Sequence, residues 1–238
     1  MRFIKKIPLF KNVLNLDPQF ARDDFVIKEL MKLKKNSSIL DAGCGSQRYR
    51  QNCKHLNYYA QDFGEYIIDE KKMIGSAGVG GYEGYNYGAL DYKCDIWDIN
   101  EESDTFDSIL CTEVFEHIPY PIETLKEFNR LLKKGGVLIL TAPSNCLRHM
   151  DPYFFYSGFS DRWYEKFLIE NGFKIELIEA IGDYYSWLSA EMLRTAMSHS
   201  IISKLLLMPA FLYFYNKKRT KVSVDTLCMG YHVVAKKI

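Results

Sequence analysis

The chain has 238 residues, enough for one large domain that buries its core without a disulfide or a metal staple. Apolar residues make up 47% and charged residues 26%, which excludes intrinsic disorder, and the formal charge of +1 argues against a general nucleic-acid binder. Aromatic residues are unusually numerous at 15%, with 17 Tyr, 15 Phe and 3 Trp.

Cysteine spacing and the start of the chain indicate a cytoplasmic protein. No two of the six cysteines form a C-x-x-C pair, so we expect reduced core thiols rather than a zinc knuckle. Residues 1–10 are basic, but polar residues interrupt the apolar stretch behind them, so no secretion signal is expected. The most apolar segment, 205–215, is too short to span a bilayer.

The first third of the chain predicts a helix, two strands and a long loop. Apolar spacing over 18–33 is helical, with Asp17 as a candidate N-cap and Pro18 in the first turn. Short apolar runs at 38–41 and 56–61 predict buried strands. Residues 64–90 combine glycines with tyrosines and predict a long loop that covers the site.

Strands and helices then alternate. The predicted strands are 92–96, 106–111, 137–142, 173–180 and 228–235. The predicted helices are 121–132, stopped by Gly135, and a segment capped by Ser160 that ends at Gly172. This pattern predicts an α/β fold, a Rossmann-like doubly wound and mostly parallel sheet in a single domain of residues 1–238. Two segments decorate it: the 64–90 loop and a helical insertion at 181–223.

A glycine-rich turn follows the first predicted strand. It contains Asp41, Gly43 and Gly45, and glycine permits both positive φ and close approach of a ligand to the backbone. Asp62 lies 21 residues after Asp41, at the end of the second strand, where an acid binds ribose hydroxyls in such sheets. The spacing therefore predicts a nucleoside-containing cofactor.

Two cofactor classes compete for this turn. A dinucleotide needs a third glycine, so that a helix N-terminus meets the diphosphate, but Arg48 occupies that position. Asp41 also suits a cation better than a diphosphate. S-adenosylmethionine carries an ammonium and a sulfonium and no phosphate, so the pattern favours it over a dinucleotide.

With these motifs the sequence resembles the class I S-adenosylmethionine-dependent methyltransferases, of the type 11-like kind found in many biosynthetic clusters. The resemblance covers about residues 37–180, with a last strand at 228–235. The segments that carry it are 40–45, Asp62, 95–99, 106–118 and 130–140. It implies a seven-stranded sheet whose last strand is antiparallel, and it specifies the cofactor but no substrate.

The resemblance also implies roles for individual residues. Gly43 and Gly45 would let the backbone approach S-adenosylmethionine, Asp41 would help to hold its amino-acid end, and Asp62 would bind the ribose hydroxyls.

Further along the chain, Asp95 would accept a hydrogen bond from the adenine amino group, and Ile96 would lie against the adenine ring. Thr112, with Glu113, would lie beside the methionine portion. Gln61 and Asn100 depart from the family pattern, and neither is expected to touch the chemistry.

His149 and Asp151 are the candidate catalytic residues. They follow the fifth strand, at the sheet edge where such folds bind ligands, and could remove a proton from an acceptor hydroxyl. The alternative is a polar loop, because methyl transfer can proceed by alignment of the reacting atoms alone. His117 is either a substrate-site or a helix-packing residue. Since no cluster has convincing ligand spacing, no metal is predicted.

Aromatic residues are dense at 153–164, where they predict either core packing or a wall against a substrate. This segment also resembles methyltransferases of polysaccharide biosynthesis clusters. The expected acceptor is therefore a sugar, glycan or lipid-linked glycan precursor. The alternatives are another small metabolite, a lipid or a quinone, or a catalytically inactive partner subunit that binds the cofactor.

Residues 205–221 combine an apolar stretch with the basic residues that follow it. Such a segment can lie in a membrane interface, which would make the protein membrane-peripheral. A buried helix and a homo-oligomer contact are the alternatives.

Overall fold

The computed structural model describes residues 18–66, 86–198 and 200–238. The described residues form a seven-stranded sheet in the order β3-β2-β1-β4-β5-β7-β6. The strands are β1 Ser38–Ala42, β2 Asn57–Asp62, β3 Tyr92–Lys93, β4 Phe106–Thr112, β5 Leu132–Pro143, β6 Phe173–Ile181 and β7 Gly230–Lys237. Strands β1 to β5 pair in parallel, and β7 runs antiparallel between β5 and β6. The predicted fold class is confirmed, including its antiparallel last strand.

Helices cover both faces of this sheet. They are α1 Pro18–Leu30, α2 Pro121–Leu131, α3 Asp161–Glu170, α4 Tyr184–Ser198, α5 Ile201–Tyr215 and α6 Lys221–Thr226, with 3-10 turns at Arg50–Cys53 and Phe115–His117. One apolar layer joins α1 to the sheet through Phe25, Val26 and Leu30. The other joins α2 and α3 to the opposite face through residues such as Phe128 and Tyr164. Two buried layers thus hold the strand ends in place.

Local turn chemistry explains the differences from the predicted elements. The predicted strand 92–96 is wrong beyond Lys93, because the Cys94 carbonyl accepts a hydrogen bond from the Gln61 side chain at 2.7 Å. The Asp95 carbonyl then closes a turn with the Asp98 amide at 3.2 Å. Strand β5 begins at Leu132 rather than at 137, since the chain passes from α2 directly into the sheet. Residues 67–85 of the predicted 64–90 loop lie outside the described residues.

The predicted helical insertion at 181–223 is formed by α4, α5 and α6, between β6 and β7. Helix α5 leaves much of its apolar surface uncovered. The side chains of Leu205 and Leu206 are 71% and 70% exposed, whereas Phe211 is buried. Among the described residues no helix is both long and apolar enough to cross a membrane.

Candidate functional site

The glycine turn follows β1 at the carboxyl edge of the sheet. Gly43 adopts a φ of +70°, and a β-carbon added there would lie 2.5 Å from Val114 Cγ2. The Gly43 amide donates to Gln61 Oε1 at 2.9 Å, and the Cys44 amide donates to the Gln61 carbonyl at the same distance. Glycine is therefore required here by the backbone conformation and by the closeness of Val114, which follows β4.

Asp62 is buried at the end of β2, and both of its carboxylate oxygens accept backbone hydrogen bonds. The Gly45 amide donates to Oδ2 at 2.9 Å, and the Gly64 amide donates to Oδ1 at 3.0 Å. Burial raises the pKa of Asp62, while these amides oppose the rise. The Phe63 amide also contributes a backbone hydrogen bond, and because a carboxylate offers about four acceptor sites, Asp62 can still accept from a hydroxyl donor.

Asp41 lies inside the protein, near the carboxyl end of β1. Its Oδ2 accepts a hydrogen bond of 2.5 Å from the Tyr58 hydroxyl. Burial raises the pKa of Asp41 to about 7; the Tyr58 hydroxyl opposes this rise, and nearby Asp62 adds to it. Near neutral pH this carboxyl is therefore poised to ionise when a cation approaches.

Gln61 is the residue whose contribution the sequence did not predict. Its buried side chain accepts from the Gly43 amide and donates to the Cys94 carbonyl, so it ties the glycine turn to the segment that carries Asp95. The signal was available in the sequence, because a glutamine at a buried strand end needs internal partners.

The segment after β3 places its two predicted residues in different surroundings. Asp95 is exposed at the sheet edge. Ile96 is buried in the apolar layer that includes Phe106 and Phe115, so its side chain serves packing. The buried position of Ile96 therefore gives no support to the prediction that Ile96 lies against an adenine ring.

The end of β4 carries Thr112 and a fixed acid. Thr112 is half-buried and pairs with Thr141 of β5. Glu113, at a φ of +52°, accepts from Thr141 Oγ1 at 2.9 Å and forms an ion pair with Arg22 of α1 at 3.0 Å. The sequence did not predict this use of Arg22, which joins α1 to the switch point between β1 and β4.

The candidate catalytic pair is not assembled as predicted. The Asp151 carboxylate accepts from Arg148 Nε at 2.9 and 3.0 Å, while His149 Nδ1 lies 2.8 Å from the Leu147 carbonyl. The His149 ring instead meets the His117 ring, with 4.6 Å between centroids. The Asp151 carboxylate is therefore paired with Arg148 rather than with His149. Burial, with a contribution from His149, lowers the pKa of His117 to about 4.

The aromatic segment 153–164 divides between the two predicted uses. Phe159 and Tyr164 are buried, and the partly buried Trp163 packs on the same core layer. Tyr153 instead meets Phe63, the residue after Asp62, with ring centroids 5.0 Å apart, and Phe154 meets His149 at 5.5 Å. Only the start of the segment therefore faces the candidate site.

Residues 18–199 match a family model described as a methyltransferase domain. The chain belongs to the methyltransferase domain family. A ubiquinone biosynthesis O-methyltransferase of Coxiella burnetii is 30% identical over 110 residues, which are 45% of this chain and 44% of the relative. The chain spans about half the length, or less, of the first curated relatives it matches.

Solved structures share the fold of this methyltransferase domain. The [4+2]-cyclase SpnF superposes with a TM-score of 0.56 at 18% identity, covering 92% of this chain and 80% of that one. A phosphoethanolamine N-methyltransferase 2 of Haemonchus contortus, solved with S-adenosyl-L-methionine, gives 0.54 at 15% identity, covering 91% and 52%.

Proposed function

We propose that the protein is an S-adenosylmethionine-dependent methyltransferase. The observation that carries the proposal is the meeting of the glycine turn with Asp62 at the end of β2: the buried Asp62 carboxylate accepts from the amides of Gly45, in the turn, and Gly64. A dinucleotide is disfavoured because only a 3-10 turn, Arg50–Cys53, follows β1, so no α-helix N-terminus in this described segment meets a diphosphate. Arg48 is also engaged, since its Nε donates to Asp23 at 2.8 Å.

The proposed cofactor residues divide the work by chemistry. Gly43 and Gly45 keep the turn free of side chains, Asp62 accepts from ribose hydroxyls, and Asp41 favours the cationic amino-acid end. We assign two further residues to the cofactor: Asp95 follows β3, which lies beside the strand of Asp62, and Thr112 ends β4, which lies beside the strand of Asp41. Ile96 packs beneath the segment of Asp95. S-adenosylmethionine, when bound, supplies an electrophilic methyl group on a sulfonium.

For the acceptor we propose a sugar, a glycan or a lipid-linked glycan precursor. The support is two partly exposed rings, Phe154 beside His149 and Tyr153 beside Phe63, because flat rings can stack on sugar faces. The same rings fit a quinone, and the Coxiella relative favours that alternative. Without a bond to Asp151, His149 is the candidate that takes a hydroxyl proton. Isotope-labelled cofactor added to fractionated extract identifies which acceptor takes the label.

Replacing Asp62 by alanine is expected to weaken binding of S-adenosylmethionine by about 100-fold. Loss of two charge-assisted hydrogen bonds to the ribose costs about 3 kcal/mol or more, and the Gly45 amide also loses its acceptor. Isothermal titration calorimetry measures the change. Asp24→Ala is the control, because Asp24 is exposed on α1 and pairs with Lys28 on the same helix.

Equal binding by Asp62→Ala and the unchanged protein would sink the cofactor assignment, as would no binding by either. Binding without turnover on any fraction would favour the inactive partner-subunit alternative. Turnover needs its own measurement because fold does not fix reaction: the fold shared with SpnF belongs to a protein named for a cyclisation.

We also propose that residues 205–221 make a peripheral membrane contact. The support is the exposure of Leu205 and Leu206 together with the basic residues at 217–221. Leu205→Glu with Leu206→Glu is expected to abolish cosedimentation with phosphatidylserine vesicles, and salt is expected to weaken binding of the unchanged protein. The control is Ile169→Glu, because Ile169 is 62% exposed on α3.

Vesicle binding that survives the paired substitutions would exclude this surface. A concentration-dependent dimer that the same substitutions break would assign the surface to a second copy of the chain.

A further inference from the structure

Three side chains able to bind a metal ion converge beside the candidate site. Glu116 and His117 belong to the 3-10 turn after β4, and His149 lies in the loop after β5. Their ligand atoms all lie within 4.8 Å of one another. Two ligands about 2.1 Å from a tetrahedral ion are roughly 3.4 Å apart, and Glu116 Oε1 lies 3.6 Å from His117 Nε2. Small side-chain movements would close the set around one ion.

Backbone carbonyls fix the orientation of both imidazoles. His117 Nδ1 lies 2.6 Å from the Tyr153 carbonyl, and His149 Nδ1 lies 2.8 Å from the Leu147 carbonyl. Because a carbonyl only accepts, each Nδ1 carries the proton and each Nε2 keeps its lone pair. This arrangement is the usual outer support of a histidine that binds a metal.

Glu116 supplies an independent argument that a cation binds here. Its side chain is 1% exposed, and its Oε2 has no hydrogen-bond partner in the part of the chain that the structure describes. A buried carboxylate oxygen without a partner is costly. The nearby fixed cation, Arg22, is already paired with Glu113 at 3.0 Å, and that glutamate also accepts from Thr141.

We propose that Glu116, His117 and His149 bind one divalent transition-metal ion of the zinc type. Two imidazole nitrogens and one carboxylate oxygen are a zinc-like donor set, whereas Mg²⁺ and Ca²⁺ prefer oxygen ligands throughout. Three protein ligands leave a fourth tetrahedral position, the arrangement of catalytic rather than structural zinc. Sequence spacing alone does not indicate this set, because His149 is remote from His117 in sequence.

The site also bears on the proposed reaction. Glu116 lies four residues after Thr112, at the sheet edge proposed for the cofactor. A hydroxyl bound at the open position would lose its proton more readily. This role in the reaction rests on the proposed function, whereas the binding of the metal ion does not depend on it. Coordination would use the His149 lone pair, so in the metal-bound protein the hydroxyl proton would pass to solvent, and His149 would take that proton only in the metal-free protein.

Titration of chelator-treated protein with ZnCl₂ tests the proposal. We expect one equivalent to bind more tightly than MgCl₂. We also expect His149→Ala and Glu116→Gln, which remove ligands, to weaken Zn²⁺ binding by more than the roughly 10- to 100-fold that loss of an outer-shell partner costs. His55→Ala is the matched control, because His55 is bonded to the Leu30 carbonyl of α1. Zn²⁺ should raise the melting temperature of the unchanged protein and not that of His149→Ala.

The Cys146 thiol is the strongest alternative metal ligand, since it lies close enough to Glu116 for the two side chains to interact electrostatically. Cys146→Ser should leave Zn²⁺ affinity unchanged, and Co²⁺-loaded protein should lack thiolate charge-transfer absorption. Equal affinity in His149→Ala and the unchanged protein, or loss of affinity in Cys146→Ser, would overturn the proposed ligand set. Titrating the same samples with S-adenosylmethionine keeps failure of the metal site distinct from failure of the proposed function.

Discussion

Replacing Gly43 by alanine is expected to lower the free energy of unfolding by about 2–5 kcal/mol. A left-handed backbone conformation costs an L-residue about 1–2 kcal/mol, and Gly43 has a φ of +70°. The new β-carbon would also lie 2.5 and 2.8 Å from the two γ-carbons of Val114, and overpacking of this kind adds about 1–3 kcal/mol. Urea denaturation of both proteins measures the difference.

Two further variants separate the backbone cost from the contact. Gly135 shares the left-handed conformation, with a φ of +77°, but an added β-carbon there meets no atom of the described residues within 4 Å. Gly135→Ala should therefore lose only about 1–2 kcal/mol. Adding Val114→Ala to Gly43→Ala should recover the contact part in a double-mutant cycle. If Gly43→Ala costs no more than Gly135→Ala, Val114 does not constrain the turn.

Local sequence patterns predicted the sheet because each of its buried strands is a short run of apolar residues in the sequence. The apolar run in β5 is buried as a central strand should be, and Ser160 accepts from the Trp163 amide as the predicted cap of α3. The prediction failed where a side chain replaces a backbone partner. Gln61 takes the Cys94 carbonyl, and β3 is limited to Tyr92–Lys93 as a result.

The candidate site was predictable only where its residues are close in sequence. The glycine turn and its acid follow consecutive strands, so their spacing carries the information. The ion pair of Arg22 with Glu113, and the meeting of His117 with His149, join segments that only the folded sheet brings together. No local periodicity encodes such contacts. Spacing instead favoured His149 with Asp151, whose carboxylate accepts from Arg148 in the structure.

Replacing Asp41 by asparagine is expected to stabilise the protein above pH 7 by up to about 4 kcal/mol. Burial raises the pKa of Asp41 to about 7, against 3.8 for an ordinary aspartate, and a tenfold change in proton affinity corresponds to about 1.36 kcal/mol. Between these values the folded state keeps a proton that the unfolded state releases, so rising pH lowers the stability of the unchanged protein. Asparagine carries no such proton, and its oxygen can still accept from Tyr58.

The pH dependence of the difference between the two proteins is the measurement that decides. Urea denaturation from pH 4 to pH 8 should show the advantage of Asp41→Asn growing up to about pH 7 and constant above it. Asp107→Asn is the control, and the pH dependence of its stability difference is expected to have the opposite sign. Burial opposes ionisation of Asp107, but hydrogen bonds from Ser38 and Lys133 outweigh this effect and lower the pKa of Asp107. That variant should lose stability relative to the unchanged protein as pH rises through the acidic range. A pH-independent difference for Asp41→Asn would mean that the pKa of Asp41 is the same in the folded and unfolded protein, and that contacts other than Tyr58 compensate its burial.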